Sequence, residues 1–232
     1  ALIGAGTNAA IPLFADGIGA ALVLRFATGA ALAGVYPPGM KIMASWFREG
    51  RGMAIGVLVG ALSAGSAGPH LLKVIGRPDW QSVMLTASAC SVLASLICIL
   101  FVTDGPHLSS GARFNWRYAG NALRHPGIRL ANFGYLGHMW ELYAVWTWVP
   151  IFLLESFRHS GVVDPERLAA QAAFSVIAVG AGGSIIAGLV ADRIGRTTVT
   201  IASLLISGAC CLVAGSLWGA SPVVLIVFGL VW

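Results

Sequence analysis

The chain has 232 residues, of which 57% are hydrophobic and 10% charged, with a net charge of +5. A soluble domain is about 45–50% apolar and about 25% charged, so this composition leaves too little polar surface to cover a water-soluble fold. The positive balance does not point to nucleic acid, because no basic patch alternates with stacking aromatics in a polar context.

The charges are clustered and leave apolar runs of about 20 residues, the length a helix needs to cross a hydrocarbon core about 30 Å thick. A partial span is expected at about 1–14, full spans at about 18–44, 53–74, 80–103, 129–154, 168–191 and 197–218, and a second partial span from 221. The first residues, A-L-I-G-A-G-T-N-A-A-I-P, carry no starting methionine and no charged leader, so they read as part of a helix rather than a signal peptide. The expected fold is an all-α, polytopic, multi-pass membrane bundle, a piece of a larger one and open at both ends.

The second run, 18–44, carries Arg25 in its outer half and Pro37 and Pro38 near its other end. An arginine within a span costs roughly 2.5–3.5 kcal/mol on insertion scales. Two readings stand: a functional cation facing a wet interior, or a side chain snorkelling to the interface. The two prolines are expected to kink the helix and free backbone carbonyls. In the next run Gly56, Gly60, Ala64 and Gly68 recur every four residues before Pro69, a ladder of small residues that lets two helices approach closely. Lys73, near the end of that run, can snorkel outward.

Cys90, Cys98, Cys210 and Cys211 all fall in apolar runs and form no C-x-x-C pair, so they read as small buried hydrophobes, and no metal or cofactor is expected. The long polar stretch near 105–128 divides the chain into helical groups at 1–104 and 129–232 and is read as a linker between two bundles.

Along 129–154, Gly134, Tyr135, His138, Glu141, Val145 and Trp148 share one helical face, with His138 and Glu141 one turn apart. An apolar surrounding favours a neutral carboxyl, and histidine changes charge near neutral pH. The pair is thus read as a proton relay or polar ligand site, or alternatively as a neutral hydrogen-bonded lock between helices. The glycines of G-A-G-G-S, residues 180–184, read as helix packing rather than phosphate binding.

Next comes a short basic hairpin, Gly188-Leu-Val-Ala-Asp192-Arg193-Ile-Gly195-Arg196. Gly195 permits a positive φ in the turn, Asp192 can cap the following helix or face a neighbouring helix N-terminus, and the arginines anchor at headgroups. Alternate loops hold Lys41, Arg48, Arg51, Arg113, Arg117, Arg124, Arg129, Arg193 and Arg196 and are assigned to the cytoplasm. The others hold Lys73, Arg77, Arg158 and Arg167, offset by Asp16, Asp79, Glu155, Asp164 and Glu166. Trp46, Trp80, Trp148 and Trp218 lie near run ends, where indoles favour the interface.

The hairpin's G-x-x-x-D-R-x-G-R matches the signature loop of the major facilitator superfamily, in the copy between that family's eighth and ninth helices, and the chain resembles that family from about its third helix to its tenth. On that resemblance the Arg25 helix is similar to the family's fourth, with its R-x-x-x-G pattern at Arg25 and Gly29. The glycine ladder resembles the G-x-x-x-G-P motif of exporters in the fifth, but His70 and Lys73 stand where small residues are expected. The helix of Glu141 resembles the cavity-lining seventh, where Tyr135 and Trp148 are similar to aromatic substrate contacts. The segment W-F-R-E-G-R-G-M-A resembles the corresponding loop of organic-anion and nitrate or nitrite carriers, although the asparagine typical of nitrate carriers is missing.

The resemblance implies a secondary transporter working by alternating access. Arg25, Tyr135, His138, Glu141 and Trp148 would be substrate and proton-coupling residues; Gly188, Asp192, Arg193, Gly195 and Arg196 would form the conformational loop. Intramembrane or near-membrane cations Arg25, Lys41, His70 and Lys73 outnumber the single anion Glu141, which favours a small anionic solute taken up with protons. The competing readings are a proton-coupled exporter and a membrane sensor derived from a transporter fold. An enzyme is not expected, because no H-E-x-x-H, G-x-S-x-G or Cys/His arrangement is present. The expected partners are a small solute, protons and the lipid bilayer, with no nucleic acid; the expected setting is the plasma (inner) membrane, as a monomer.

Overall fold

The computed structural model describes residues 1–76, 78–108, 120 and 123–232. Among them the chain forms nine α-helices and no strand: α1 (Leu2–Phe14), α2 (Ile18–Ala33), α3 (Tyr36–Trp46), α4 (Arg51–Ile75), α5 (Trp80–Phe101), α6 (Pro126–His159), α7 (Pro165–Ile194), α8 (Arg196–Ala214) and α9 (Pro222–Val231). Among the described residues five stretches are long and apolar enough to cross a membrane: α2 with α3, then α4, α5, α7, and α8 with the short 3₁₀ turn that follows it. Helix α6, at 34 residues, has the length but not the uniform apolarity, because Arg129, Asn132, His138 and Glu141 interrupt it. Arg77, Arg113 and Arg117, and most of the expected linker at 105–128, lie outside the described residues.

The run expected as one helix over 18–44 is broken in two. Neither Pro37 nor Pro38 has an N–H to bond the carbonyls of Ala33 and Gly34 one turn back, so the helix stops there. Val35 N–H instead reaches the Leu32 carbonyl at 2.9 Å, a tighter turn, and α3 starts with both prolines in its first turn, where no N–H is missed. The end of α3 is then held by the chain that follows α5. Gly105 N–H donates to Ser45 Oγ (2.9 Å), His107 N–H to the Ser45 carbonyl (2.9 Å) and Trp46 Nε1–H to the Thr103 carbonyl (3.1 Å). A Cβ at residue 105 would fall 2.5 Å from the Ser45 backbone, so only glycine allows this approach.

The most extensive helix contact joins α4 to α7. Lipid tails are as apolar as the side chains, so membrane helices associate through close van der Waals packing rather than exclusion of water. Here Gly52, Gly56 and Gly60 of α4 lie directly on the backbone of α7: a Cβ at 56 would meet the Ser184 carbonyl oxygen at 2.5 Å, and one at 60 that of Ala181 at 2.7 Å. The expected ladder is therefore shifted one step toward the N-terminus. Gly68 faces open space and Ala64 is exposed. Of the G-A-G-G-S cluster, Ala181 and Ser184 carry the seam, whereas a Cβ at Gly182 or Gly183 would meet nothing within 4 Å.

The second half has its own core. Val149, Leu153 and Phe157 of α6 pack with Ala169 and Ala172 of α7 and Leu225 of α9. Ser156, fully buried among them, accepts the Gly219 N–H at 2.7 Å and so satisfies a backbone donor in the α8 to α9 turn. Trp218 meets Phe152 edge-on, with centroids 5.6 Å apart. Asp79 caps α5, and the hydroxyl and N–H of Ser82 hold its carboxyl below the usual carboxylate range. The cysteines differ from expectation: Cys90, Cys98 and Cys211 are exposed on the helical surface. A small thiol on a lipid-facing surface has no water to be hidden from.

Candidate functional site

Arg25 stands midway along α2, exposed, and is tied to α1. Its Nη1 donates to Asn8 Oδ1 of α1 at 3.0 Å, and the Asn8 amide nitrogen donates to Ser88 Oγ (3.0 Å) and the Met84 carbonyl (3.1 Å) of α5. One asparagine thus orients the guanidinium and links three helices. Thr7 and Thr28 extend the contact with a hydroxyl pair at 2.8 Å. Arg25 is itself exposed, and most of its N–H donors have no partner among the described residues.

Glu141 lies near the middle of α6 and is half-buried, whereas His138, Tyr135 and Trp148 are exposed. The Glu141 carboxylate accepts the hydroxyl proton of Ser207 on α8, and Cys211 Sγ lies 3.9 Å from the same oxygen. Trp232, just past α9, donates Nε1–H to Ser207 Oγ at 3.0 Å. The described contacts thus hold Glu141 across to α8 rather than along its own helix to His138. Val145 turns to the core cluster, so the face drawn from Gly134 to Trp148 is split by the packing of α6 on α7.

In the hairpin between α7 and α8, Gly195 has φ +96° and its N–H closes α7 on the Ala191 carbonyl. Asp192 faces a neighbouring helix: its two oxygens accept the N–H groups of Gly52 (2.9 Å) and Met53 (3.1 Å), the first turn of α4. Gly50, the N-cap residue, sits in the left-handed region and offers no side chain, so the cap comes from 140 residues away. A carboxylate at a helix N-terminus is stabilising by about 0.3–2 kcal/mol depending on exposure. Arg193 and Arg196 are exposed and make no ion pair among the described residues. Asp192→Asn keeps one acceptor and removes the charge, so the cap on α4 should weaken and the unfolding temperature of the complete protein should fall by about 1–4 °C with insertion unchanged. Thermal unfolding in detergent tests this, and an unaltered temperature would reduce Asp192 to a turn residue.

The α4 and α7 seam is closed at the Asp192 end and opens at the other, where a cavity of about 340 Å³ lies between His70 and Lys73 of α4, Pro150 and Leu154 of α6, and Glu166 and Arg167 of α7. Glu166 is also bonded to Arg158 (3.2 Å), which bonds Glu155 at 2.7 Å, both surface pairs of small energetic weight. Sequence reading missed Asn8, Ser207 and Trp232. Asn8 had a signal, an amide in the middle of an apolar run; a serine within a run has none, because most helical serines simply bond their own backbone.

These features can be set beside known proteins. The family profile MFS_1, Major Facilitator Superfamily, matches residues 1–232. A curated relative, "MFS-type transporter pytF" of Aspergillus terreus (strain NIH 2624 / FGSC A1156), is 26% identical over 174 residues, covering 72% of this chain and 55% of the relative. The chain thus spans about half the length of the curated relative it matches. No solved structure matches it significantly. With a match from its first residue to its last, and an apolar helical bundle beneath it, the chain belongs to the Major Facilitator Superfamily.

Proposed function

We propose that the protein containing this chain is a secondary active transporter in the plasma membrane, taking up a small anionic solute with protons by alternating access. The observation that carries this reading is Glu141, a carboxyl midway along its helix and held by a hydroxyl from another helix. A carboxyl has two protonation states, so it can take up a proton from one side of the membrane and release it to the other as its access to water changes. Arg25, oriented by Asn8 and with donors to spare, supplies the complementary cation for an anion. Tyr135, His138 and Trp148 line the same helix and are exposed for solute contact. The Asp192 cap on α4, with Gly188 against Gly52 beneath it, holds the cytoplasmic end shut while the cavity at the other end admits solute.

Thermal-shift screening of the complete protein against small carboxylates and inorganic anions should first identify the solute, because a ligand bound only to the folded state raises apparent stability. In liposomes with an acidic exterior that solute should then accumulate above its external concentration, and a protonophore should collapse the accumulation. Equilibration without accumulation would remove proton coupling from the reading.

A further inference from the structure

Glu141, the proposed proton carrier, is held by groups from other helices. Three helices meet at this carboxyl: Ser207 of α8 gives it the hydroxyl proton, and Trp232 beyond α9 gives its indole N–H to the same serine oxygen at 3.0 Å. Many helical serines in this chain bond the carbonyl one turn back, as Ser66, Ser95, Ser175 and Ser184 do at 2.7–2.9 Å. Ser207 instead points its one proton at Glu141.

A hydroxyl has one proton and two lone pairs, and an indole nitrogen only donates. With Trp232 on one lone pair, the Ser207 proton is available to a charged carboxylate. When Glu141 takes up a proton it becomes the donor, giving its O–H to the remaining Ser207 lone pair. The serine proton must then turn away, toward the backbone carbonyl that helical serines ordinarily use. We infer that Ser207 is a positioning residue of the proton site, a hydroxyl whose direction reports the protonation of Glu141 to α8 and, through Trp232, to α9. This rests on the reading that Glu141 carries the coupled proton.

Other titratable groups flank this carboxyl on α6 and α8, among them Tyr143 and Cys210. His138 lies one turn away on α6, and the Cys211 thiol of α8 sits 3.9 Å off, a weak donor at long range. Helix α7 carries no ionisable side chain between Leu168 and Ala191, and α9 carries none.

The test compares Ser207→Ala, Ser207→Thr and Trp232→Phe in the complete protein, with Glu141→Gln alongside. Uptake driven by a pH gradient is measured across pH, and the infrared carbonyl band of protonated Glu141, identified by its absence in Glu141→Gln, is followed in membranes. Removing the hydroxyl takes a donor from the charged carboxylate, so Ser207→Ala should displace the pH profile to the alkaline side by about one unit. It should also move the infrared band. Ser207→Thr should restore both, and Trp232→Phe should displace the profile the same way by less. The band decides the matter even where Ser207→Ala does not turn over. If Glu141→Gln abolishes accumulation while Ser207→Ala leaves profile and band at wild-type positions, the switch is overturned and the coupling role stands. If Glu141→Gln accumulates solute as the wild type does, the coupling role falls and the switch falls with it.

Discussion

Glu141→Gln in the complete protein should insert, bind solute and exchange it across the membrane, yet lose accumulation driven by a pH gradient. One pH unit carries about 1.4 kcal/mol per proton, enough for about tenfold accumulation in electroneutral anion–proton uptake; in the mutant the inside-to-outside ratio should fall to about one. The amide has nearly the volume of the acid and can donate to or accept from the Ser207 hydroxyl, so the link from α6 to α8 has no reason to fail. What it lacks is a second protonation state, and with it the means to make movement depend on the proton. His138, exposed one turn away, should tune the process: His138→Ala shifts the pH dependence without abolishing transport. Counterflow at zero gradient measures the exchange that should survive. Wild-type accumulation by Glu141→Gln would leave the carboxyl a structural link between helices.

Gly56→Val should cost most or all of the transport rate, tenfold or more, and lower the unfolding temperature by several degrees. A Cβ at this position would lie 2.5 Å from the Ser184 carbonyl oxygen and 3.2 Å from Ile185 Cα, backbone atoms of α7 that cannot turn aside as a side chain can. The helices must separate, and separation breaks the neighbouring approach of Gly60 to Ala181 and lifts Gly52 away from Asp192. Gly65→Ala is the control, because a Cβ there meets nothing within 4 Å. Thermal unfolding in detergent and uptake in liposomes are the measurements. Equal behaviour of the two variants would mean that the seam is not the close backbone contact described.

Much of this architecture was legible in the residues. Runs of apolar side chains between charges located the spans, since a bilayer imposes both length and composition on what crosses it. Gly195 announced its positive φ by standing between Asp192 and Arg196 in a turn too short for another residue type. Contacts between helices were not legible in the same way. The pattern on α4 said that some helix would come close, and nothing in it said that α7 would, or that the approach would centre on Gly52, Gly56 and Gly60 rather than on Gly68. Likewise Glu141 drew attention as a mid-span carboxyl and was paired with His138, its neighbour on the wheel. Its described partner, Ser207, is 66 residues away, on another helix. Helical periodicity orders residues around one axis; it carries no information about which axes stand side by side.

The cap on α4 also has a temporal meaning. Its acceptor is made 140 residues after the amides that need it, and at about 5–20 residues per second a ribosome takes roughly 7–28 s to supply it. Through that interval the first turn of α4 is hydrated at the membrane surface, already inserted but without its carboxylate. The seam against α7 cannot be sealed until the later hairpin emerges, which makes the joining of α4 to α7 a late event in biogenesis, and one whose timing belongs to translation.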